Sequence, residues 1–191
     1  AIKDFIYEFP VPRRHSMFDS CFSGFLCRYL RDAITEAPMT NLSKPLNIRI
    51  YPATLQDADI LFQMETRCFS TPWSKESFAA ALGSKTYCFL LAKTDETAVG
   101  FAGFCFAADS ADITHIATVP SFRRFGIADH LLSALLCKAR DMKIDTVTLE
   151  VRQSNLPAVS LYRKHHFSTV GLRRGYYTNP REDALIMNCK I

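Results

Sequence analysis

The sequence predicts a mixed α/β (α+β) fold built on one central sheet, because its strand-like and helix-like segments alternate in two ways. Two β-rich runs in the first half are separated by a short polar turn, which is typical of an antiparallel hairpin. In the second half single strands alternate with amphipathic helices, which favours parallel pairing. The predicted order from residue 46 onward is β-α-α-β-β-β-α-β-α-β-β, with seven strands and four main helices.

Length and composition indicate a globular protein with room for a full core. The chain has 191 residues, of which 48% are hydrophobic and 22% charged, so we expect one domain and an appendage. The net charge of +4 is mildly basic, which suits an anionic cofactor or a nucleic-acid neighbour without selecting either. The sequence has no apolar run of membrane-spanning length, and we expect no membrane association.

The cysteines and histidines indicate neither a disulfide framework nor a metal site. Seven cysteines are scattered along the chain without a C-x-x-C pair, which favours free thiols in a reducing compartment. Together with the lack of an export signal, this predicts a cytoplasmic location. The five histidines do not cluster with cysteines or acids, and we expect no metal.

Residues 1–45 are predicted to be an N-terminal extension, and residues 46–191 the folded domain. Aromatic residues at helical spacing are compatible with an amphipathic helix over Met17–Ile34. Met39-Thr40-Asn41 resembles a natural start. Two interpretations therefore stay open: a non-native extension with a mis-assigned start, or a helix that docks on the domain or on a partner.

The first strand and two helices are marked by alternation and by capping residues. Asn47–Pro52 alternates apolar side chains and is predicted to be a strand. Thr54 opens a helix whose apolar face continues to about Phe69, and Ser74 begins a short helix that ends near Leu82. We therefore expect two helices before the hairpin.

The hairpin and the strand after it are apolar and β-rich. Tyr87–Lys93 and Ala98–Ala107 are predicted to be the two hairpin strands, with the turn at residues 94–96. Ile113–Val119 is the next predicted strand. These three strands complete the part of the sheet expected to be antiparallel.

The second half alternates strands with helices. Ile127–Met142 carries apolar residues on one face and is predicted to be a long helix. Thr146–Val151 is the next strand, and Leu156–His165 is the last helix. Two closing strands are predicted at Phe167–Tyr177 and Ala184–Lys190.

The segment before the long helix has the features of a phosphate-binding turn. Arg123 and Arg124 precede Gly126, and the small residue Ala128 follows. Small residues let a backbone approach an anion closely, and free N–H groups at a helix N-terminus bind phosphate oxygens. The complete G-x-G-x-x-G fingerprint is absent, so the alternative is an ordinary tight turn. We interpret the segment as a pyrophosphate cradle.

Three polar side chains are predicted to converge near the carboxyl ends of two strands, where open α/β sheets bind ligands. Glu150 closes a strand whose other face is apolar, so its carboxylate points away from that face. Asn155 is predicted to cap the next helix, and Tyr162 lies two helical turns further on nearly the same face. The alternatives are a Glu150 paired with Arg152 or another cation, a Tyr162 that only fills the core, and an Asn155 that is only a cap.

The sequence resembles the GCN5-related N-acetyltransferase (GNAT) family over about residues 46–191, but not over residues 1–38. Motif A of that family, which binds acetyl-coenzyme A, is similar to Arg123–Ala128. Its branch of bacterial ribosomal-protein N-alpha-acetyltransferases (RimI) is similar at Leu149–Phe167, Arg173–Tyr177 and Arg181–Met187.

The resemblance implies a GNAT fold, in which the fourth and fifth predicted strands splay apart at the cofactor site. It implies acetyl-coenzyme A as the co-substrate. Backbone groups on the splayed strand would hold the pantetheine arm, and the turn would hold the pyrophosphate. The implied cofactor-binding residues are Ile116, Ala117, Thr118, Arg124, Phe125, Gly126, Ile127, Ala128, Asp129 and Asn155.

The resemblance also implies the catalytic and acceptor-side residues. Glu150 lies at the position of the general base, and Tyr162 lies at that of the general acid. Tyr176 and Tyr177 lie in the segment that flanks the acceptor groove, with filling of the core as the alternative.

Two positions depart from the family pattern. Ala128 stands where a second glycine is commoner, a replacement that narrows the turn only slightly. His166 stands where a glycine usually precedes Phe167, which leaves the end of the last helix open.

By resemblance, the reaction is acetyl transfer from acetyl-coenzyme A to a protein N-terminal amine, directly within a ternary complex. The expected acceptor is the N-terminal alanine of a small-subunit ribosomal protein. The alternatives are another protein N-terminus, a lysine side chain, a small amine, or a non-catalytic module on ribosome or RNA. The sequence has no aromatic RNA-binding motif and no dense Lys/Arg stripe, so we expect no direct nucleic-acid contact.

Overall fold

The computed structural model describes residues 7–10, 47–95 and 97–191, and its strands form one mixed sheet. The strands are β1 (Tyr7–Pro10), β2 (Asn47–Pro52), β3 (Tyr87–Lys93), β4 (Ala98–Ala107), β5 (Ser110–Thr118), β6 (Thr146–Arg152), β7 (Ser168–Thr178) and β8 (Arg181–Lys190). The α-helices of these residues are α1 (Ala58–Cys68), α2 (Lys75–Gly83), α3 (Ile127–Asp141) and α4 (Leu156–Lys164). Short 3-10 helices precede α1 at Leu55–Asp57 and α3 at Pro120–Phe122.

Each strand and helix predicted from residue 46 onward is confirmed, with bounds that differ by a few residues at most. Ser74 caps α2 as expected, because its hydroxyl oxygen accepts the Ser77 N–H at 3.2 Å. The helix predicted over Met17–Ile34 lies outside the described residues, as does Glu96 of the hairpin turn.

The described sheet has eight strands, one more than predicted. The additional strand is β1, which pairs antiparallel with β2 at the edge of the sheet. The sequence predicted no regular element at β1. This ladder joins part of the N-terminal extension to the sheet of the domain.

The strand order is β1-β2-β3-β4-β5-β6-β8-β7. Neighbours from β2 to β5 are antiparallel, as predicted. The parallel pairing predicted for the second half is confirmed for β5 with β6, but β8 pairs antiparallel with both β6 and β7. That prediction was wrong for the closing strands because a tight turn joins β7 to β8, and strands joined in this way form a hairpin.

The two parallel strands splay apart, as the family resemblance implied. Within the described residues, the last registered pair between β5 and β6 is Asp112 with Thr148. Beyond this pair β5 keeps its ladder with β4 on the other side, where Ile116 pairs with Ala102 and Thr118 with Gly100. The divergence opens a cleft at the carboxyl ends of β5 and β6.

Two apolar clusters lie on opposite faces of the sheet. Consecutive residues of β4, Phe101 and Ala102, belong to different clusters, as expected for neighbours whose side chains point to opposite faces. One cluster contains Leu131 of α3, and the other contains Leu61 of α1 and Phe78 of α2. Helices therefore cover both faces and leave the splayed end open. No helix of the described part combines the length and the apolar character needed to cross a membrane.

Candidate active site

A cavity of about 1260 Å³ lies at the splayed end of β5 and β6. It is larger than the roughly 300–1,000 Å³ of most small-ligand pockets, so it has room for an extended ligand and a second substrate. The cavity brings together all the predicted site residues except Phe125: Ile116, Ala117, Thr118, Arg124, Gly126, Ile127, Ala128, Asp129, Glu150, Asn155, Tyr162, Tyr176 and Tyr177.

The turn before α3 has the backbone geometry of an anion-binding site. Gly126 has φ 80° and Arg124 has φ 70°, so two left-handed residues flank Phe125. Among the described residues no side chain caps the N-terminus of α3, and the first N–H groups of a helix have no partner within the helix. Phe125 packs its partly buried ring against the core, so only its backbone stays a candidate for cofactor binding.

Asp129, in the first turn of α3, ties this helix to the end of α4. Its two carboxylate oxygens lie 2.6 Å from Lys164 Nζ and 2.6 Å from His165 Nε2. Burial opposes ionisation of Asp129, but the hydrogen bonds from Lys164 and His165 outweigh it, and the pKa of this carboxyl is lowered. Lys164 thus offsets the negative charge of Asp129, which would otherwise repel a phosphate bound at the neighbouring turn.

The end of α4 has a left-handed residue at the position where the family pattern usually has glycine. The helix ends at Lys164, and His166 has φ 65°. This left-handed conformation is the one that glycine adopts most easily. His166 therefore adopts a conformation that would suit a glycine, and the chain continues into β7 as predicted.

The free edge of β5 offers polar groups to the cavity. Thr118 Oγ1 is buried and has no hydrogen-bond partner in the described part of the chain. The Thr118 carbonyl accepts a contact from Cys68 Sγ at 3.6 Å and from Arg123 Nε at 3.4 Å. A buried hydroxyl without a partner calls for an explanation such as a ligand, and its position fits the predicted site of the pantetheine arm.

Glu150 forms an ion pair with a cation, as one of the sequence interpretations allowed. Arg173 Nη1 lies 3.1 Å from Glu150 Oε1. Arg152, the partner suggested from the sequence, instead lies 3.1 Å from Glu182. Glu150 is about one quarter exposed, whereas more than half of the Arg173 side chain is exposed. The guanidinium can therefore leave the carboxylate without disturbing the core.

Tyr162 is both a core residue and a cavity residue. Its ring is almost completely buried and packs against Phe167 at a centroid distance of 5.9 Å. Burial, and then the neighbouring phenol of Tyr177, raise the pKa of Tyr162. The hydroxyl is therefore protonated at neutral pH, and the same burial makes it a weaker acid than an exposed phenol.

Asn155 and the two tyrosines all line the cavity, and each is held in place by a local backbone feature. Asn155 caps α4 as predicted, because its Oδ1 accepts the Ala158 N–H at 3.3 Å. The register of β7 with β8 shifts between Arg173 and Tyr177. Gly175, with φ 59°, donates its N–H to Asp183 in this bulge, which fixes the segment that carries Tyr176 and Tyr177.

A buried pair in the wall of the cavity was missed by the sequence analysis. Glu65 of α1 and His115 of β5 are 2% and 5% exposed, and Glu65 Oε1 lies 3.4 Å from His115 Nε2. The same oxygen accepts the Trp73 N–H at 3.5 Å, while Glu65 Oε2 has no partner among the described residues. No sequence signal could have found this pair, because its members come from different elements and neither belongs to a motif.

Comparisons with known proteins agree with this architecture. The model of the acetyltransferase (GNAT) family matches residues 58–167. A ribosomal protein bS18-alanine N-acetyltransferase from Escherichia coli is 35% identical over 137 residues, which are 71% of this chain and 92% of the relative.

Two solved structures extend the comparison. The crystal structure of the ribosomal-protein-S18-alanine N-acetyltransferase from Escherichia coli has a TM-score of 0.71 and 31% identity, and the match covers 75% of this chain and 94% of that one. Arabidopsis thaliana NAA60, crystallised with acetyl-CoA, shares the fold with a TM-score of 0.67 at 20% identity, over 75% of this chain and 98% of that one. The match of the family model over more than half of the chain, with a relative above 30% identity, shows that this chain belongs to the acetyltransferase (GNAT) family.

Proposed function

We propose that this enzyme transfers the acetyl group of acetyl-coenzyme A to the N-terminal amine of a protein, directly within a ternary complex. The observation that carries the proposal is that one cavity holds both an uncapped helix N-terminus and the carboxylate of Glu150. The relatives from Escherichia coli are named for alanine N-acetylation of the ribosomal protein bS18. We therefore propose the N-terminal alanine of a small-subunit ribosomal protein as the acceptor, and the cytoplasm as the location.

The residues along one wall of the cavity fit the co-substrate. The N–H groups that open α3, with the guanidinium of Arg124, are suited to the pyrophosphate. The free edge of β5 and the unpartnered hydroxyl of Thr118 are suited to the amide groups of the pantetheine arm. Acetyl-coenzyme A would supply an activated carbonyl carbon, and these residues would orient it toward Glu150.

Removal of a proton from the acceptor is the task that we assign to Glu150. An N-terminal amine has a pKa of about 8 and a lysine about 10.4, so deprotonation at pH 7 costs about 1.4 kcal/mol and about 4.6 kcal/mol, respectively. The smaller cost suits a single carboxylate that acts directly or through one water. In the structure this carboxylate holds the exposed guanidinium of Arg173, so an incoming ammonium group would replace one cation by another.

Two further groups would serve the transition state. Backbone N–H groups of β5 between Ile116 and Thr118 would hold the oxyanion that forms at the carbonyl. Tyr162, which lines the same cavity as Glu150, would give its proton to the departing thiolate.

The test is coenzyme A thiol release from acetyl-coenzyme A in the presence of three peptides. We expect release with an alanine-leading peptide, and none when the same peptide is blocked at its N-terminus. Release with an N-terminally blocked peptide that contains lysine would show a lysine acetyltransferase instead. If no acceptor, small amines included, causes thiol release, an enzymatic role is contradicted and a binding module is favoured.

A further inference from the structure

Arg152, the last residue of β6, is the centre of a polar network that the proposed reaction does not use. Its Nη1 donates to the carbonyl of Pro180 and to Glu182 Oε2, both at 3.1 Å. Its Nη2 donates to the carbonyl of Asn179 at 2.9 Å. One planar guanidinium thus binds two carbonyls and a carboxylate, and holds the turn between β7 and β8 against the end of β6.

The same guanidinium orients an acceptor-side tyrosine. The Arg152 carbon Cζ lies 4.1 Å from the centre of the Tyr177 ring, within the range of cation–π contacts. The Tyr177 hydroxyl donates to the carbonyl of Glu150 at 3.4 Å. Tyr177 is therefore held by two residues of β6, the strand that carries the proposed base.

The network continues to the cofactor side of the cavity through Glu182. The second carboxylate oxygen of Glu182 accepts the Ser154 N–H at 2.7 Å. The neighbouring Gln153 N–H donates to the carbonyl of Asp183 at 3.3 Å. Ser154 directly precedes Asn155, so the loop that caps α4 is bound to the hairpin that carries Tyr177.

We propose that Arg152 and Glu182 are positioning residues that couple the acceptor side of the cavity to the cofactor side, so that each substrate binds more tightly when the other is present. The identity of the two substrates rests on the proposed function, but the contacts do not. Each substrate would restrict one end of this same network, so the one that binds second would lose less conformational freedom. Such coupling is reciprocal, because each ligand must change the affinity of the other by the same factor.

The test measures the affinity of coenzyme A by calorimetry, without and with a saturating alanine-leading peptide. Coenzyme A carries no acetyl group, so no turnover occurs. In the unmodified protein we expect the peptide to tighten coenzyme A binding several-fold. In Glu182→Gln and Arg152→Gln this factor should fall toward one and the acceptor KM should rise about ten-fold, while coenzyme A affinity without peptide changes less than two-fold. Arg152→Lys should not restore the coupling factor, since an ammonium group cannot make the same set of contacts as the planar guanidinium.

The matched control is Arg181→Gln, a change of an exposed arginine in the same hairpin whose side chain makes none of these contacts. It should keep both the coupling factor and the acceptor KM. Should Arg152→Gln not fold, Glu182→Gln carries the test alone. The proposal is overturned if the peptide does not change coenzyme A affinity in the unmodified protein. It is also overturned if the folded variants keep the same coupling factor as the unmodified protein.

A readout that does not need acetyl transfer separates this proposal from the proposed function. Amide hydrogen exchange of residues 173–183 should accelerate in Glu182→Gln and not in Arg181→Gln, because a glutamine has one acceptor oxygen and cannot bind both Ser154 and Arg152. Equal exchange in the two variants contradicts the positioning role. If the hairpin accelerates but no peptide with a free N-terminus is acetylated, the network stands and the proposed function fails.

Discussion

The two walls of the cavity are built in different ways. Most of the proposed cofactor side is one segment of chain, in which the left-handed residues Arg124 and Gly126 lead into the uncapped N-terminus of α3. The proposed acceptor side is assembled from distant parts of the chain, since Arg152 binds Asn179, 27 residues away. We expect the buried pair of Glu65 from α1 and His115 from β5 to belong to this side as well. A change on the first wall should act through local backbone geometry, whereas a change on the second should act through contacts between elements.

The largest effect is expected at Glu150, where the two walls meet. Glu150→Gln removes the proposed base and keeps its shape, so turnover should fall about 10²- to 10⁴-fold. Coenzyme A affinity, measured by calorimetry, should change less than two-fold. Glu76→Gln on α2, outside the cavity, is the matched control and should have normal turnover. A normal rate for Glu150→Gln from pH 6 to 9 would remove Glu150 from the role of base.

Tyr162→Phe is expected to have the next largest effect. The change removes a hydroxyl and leaves the ring that packs against Phe167, so the free energy of unfolding should stay nearly constant. Turnover should fall about 10- to 100-fold if the phenol protonates the thiolate. Tyr51→Phe on β2 provides the control for a tyrosine outside the cavity. Unaltered turnover would leave Tyr162 as a core residue only.

Gly126→Val tests the cofactor wall alone. A Cβ at this position would meet only the ring of His130, at 3.8 Å, so there is space for a side chain. The cost comes from the backbone, since φ 80° is unfavourable for an L side chain by roughly 1–2 kcal/mol. The coenzyme A Kd should rise about ten-fold while the peptide Kd stays nearly constant. The control is Gly83→Val at the end of α2, and equal coenzyme A affinity of the two variants would disprove the cradle.

Glu65→Gln tests the acceptor wall alone. The carboxylate joins α1 to His115 and to the N–H of Trp73, in the loop that lines the cavity. Loosening of this loop should raise the acceptor KM about three- to ten-fold and leave the coenzyme A Kd within two-fold. Asp59→Asn, on the same helix but outside the cavity, should change neither. A selective loss of coenzyme A affinity would show that the pair serves the other wall.

The smallest effect is expected at Asp129, and it depends on pH. Its pKa is lowered in the folded protein, so its stabilising contribution is present above the unfolded pKa of about 3.9 and is lost as pH falls through the folded value. Asp129→Asn should lower the free energy of unfolding by about 1 kcal/mol at pH 7. Thermal unfolding should show this difference shrinking toward pH 3, and a difference independent of pH would contradict the ionic tie.

The same contrast explains how much the sequence could predict. The turn at Gly126 and the cap at Asn155 were predicted because each depends on neighbouring residues. The seven strands from residue 46 onward were also found, since alternation is a local signal. The position of β8 between β6 and β7 was not predicted, because it depends on how the closing hairpin packs at the edge of the sheet.

The acceptor wall shows the limit of such reasoning more sharply. The sequence allowed Glu150 to pair with Arg152, its neighbour but one, whereas the fold gives it Arg173 from β7. Arg152 instead donates hydrogen bonds to the carbonyls of the β7–β8 turn. Such partners are chosen by the register of distant strands, which no spacing within a single motif encodes.

The most direct test of the account is a structure of the enzyme with a bisubstrate in which coenzyme A is joined to the amine of an alanine-leading peptide. We predict that the pyrophosphate contacts the N–H groups of residues 126–129 and that the alanine nitrogen lies within one hydrogen bond, or one water, of Glu150. Arg173 should have left the carboxylate. A pyrophosphate bound elsewhere, or an alanine nitrogen separated from Glu150 by protein side chains, would contradict the account.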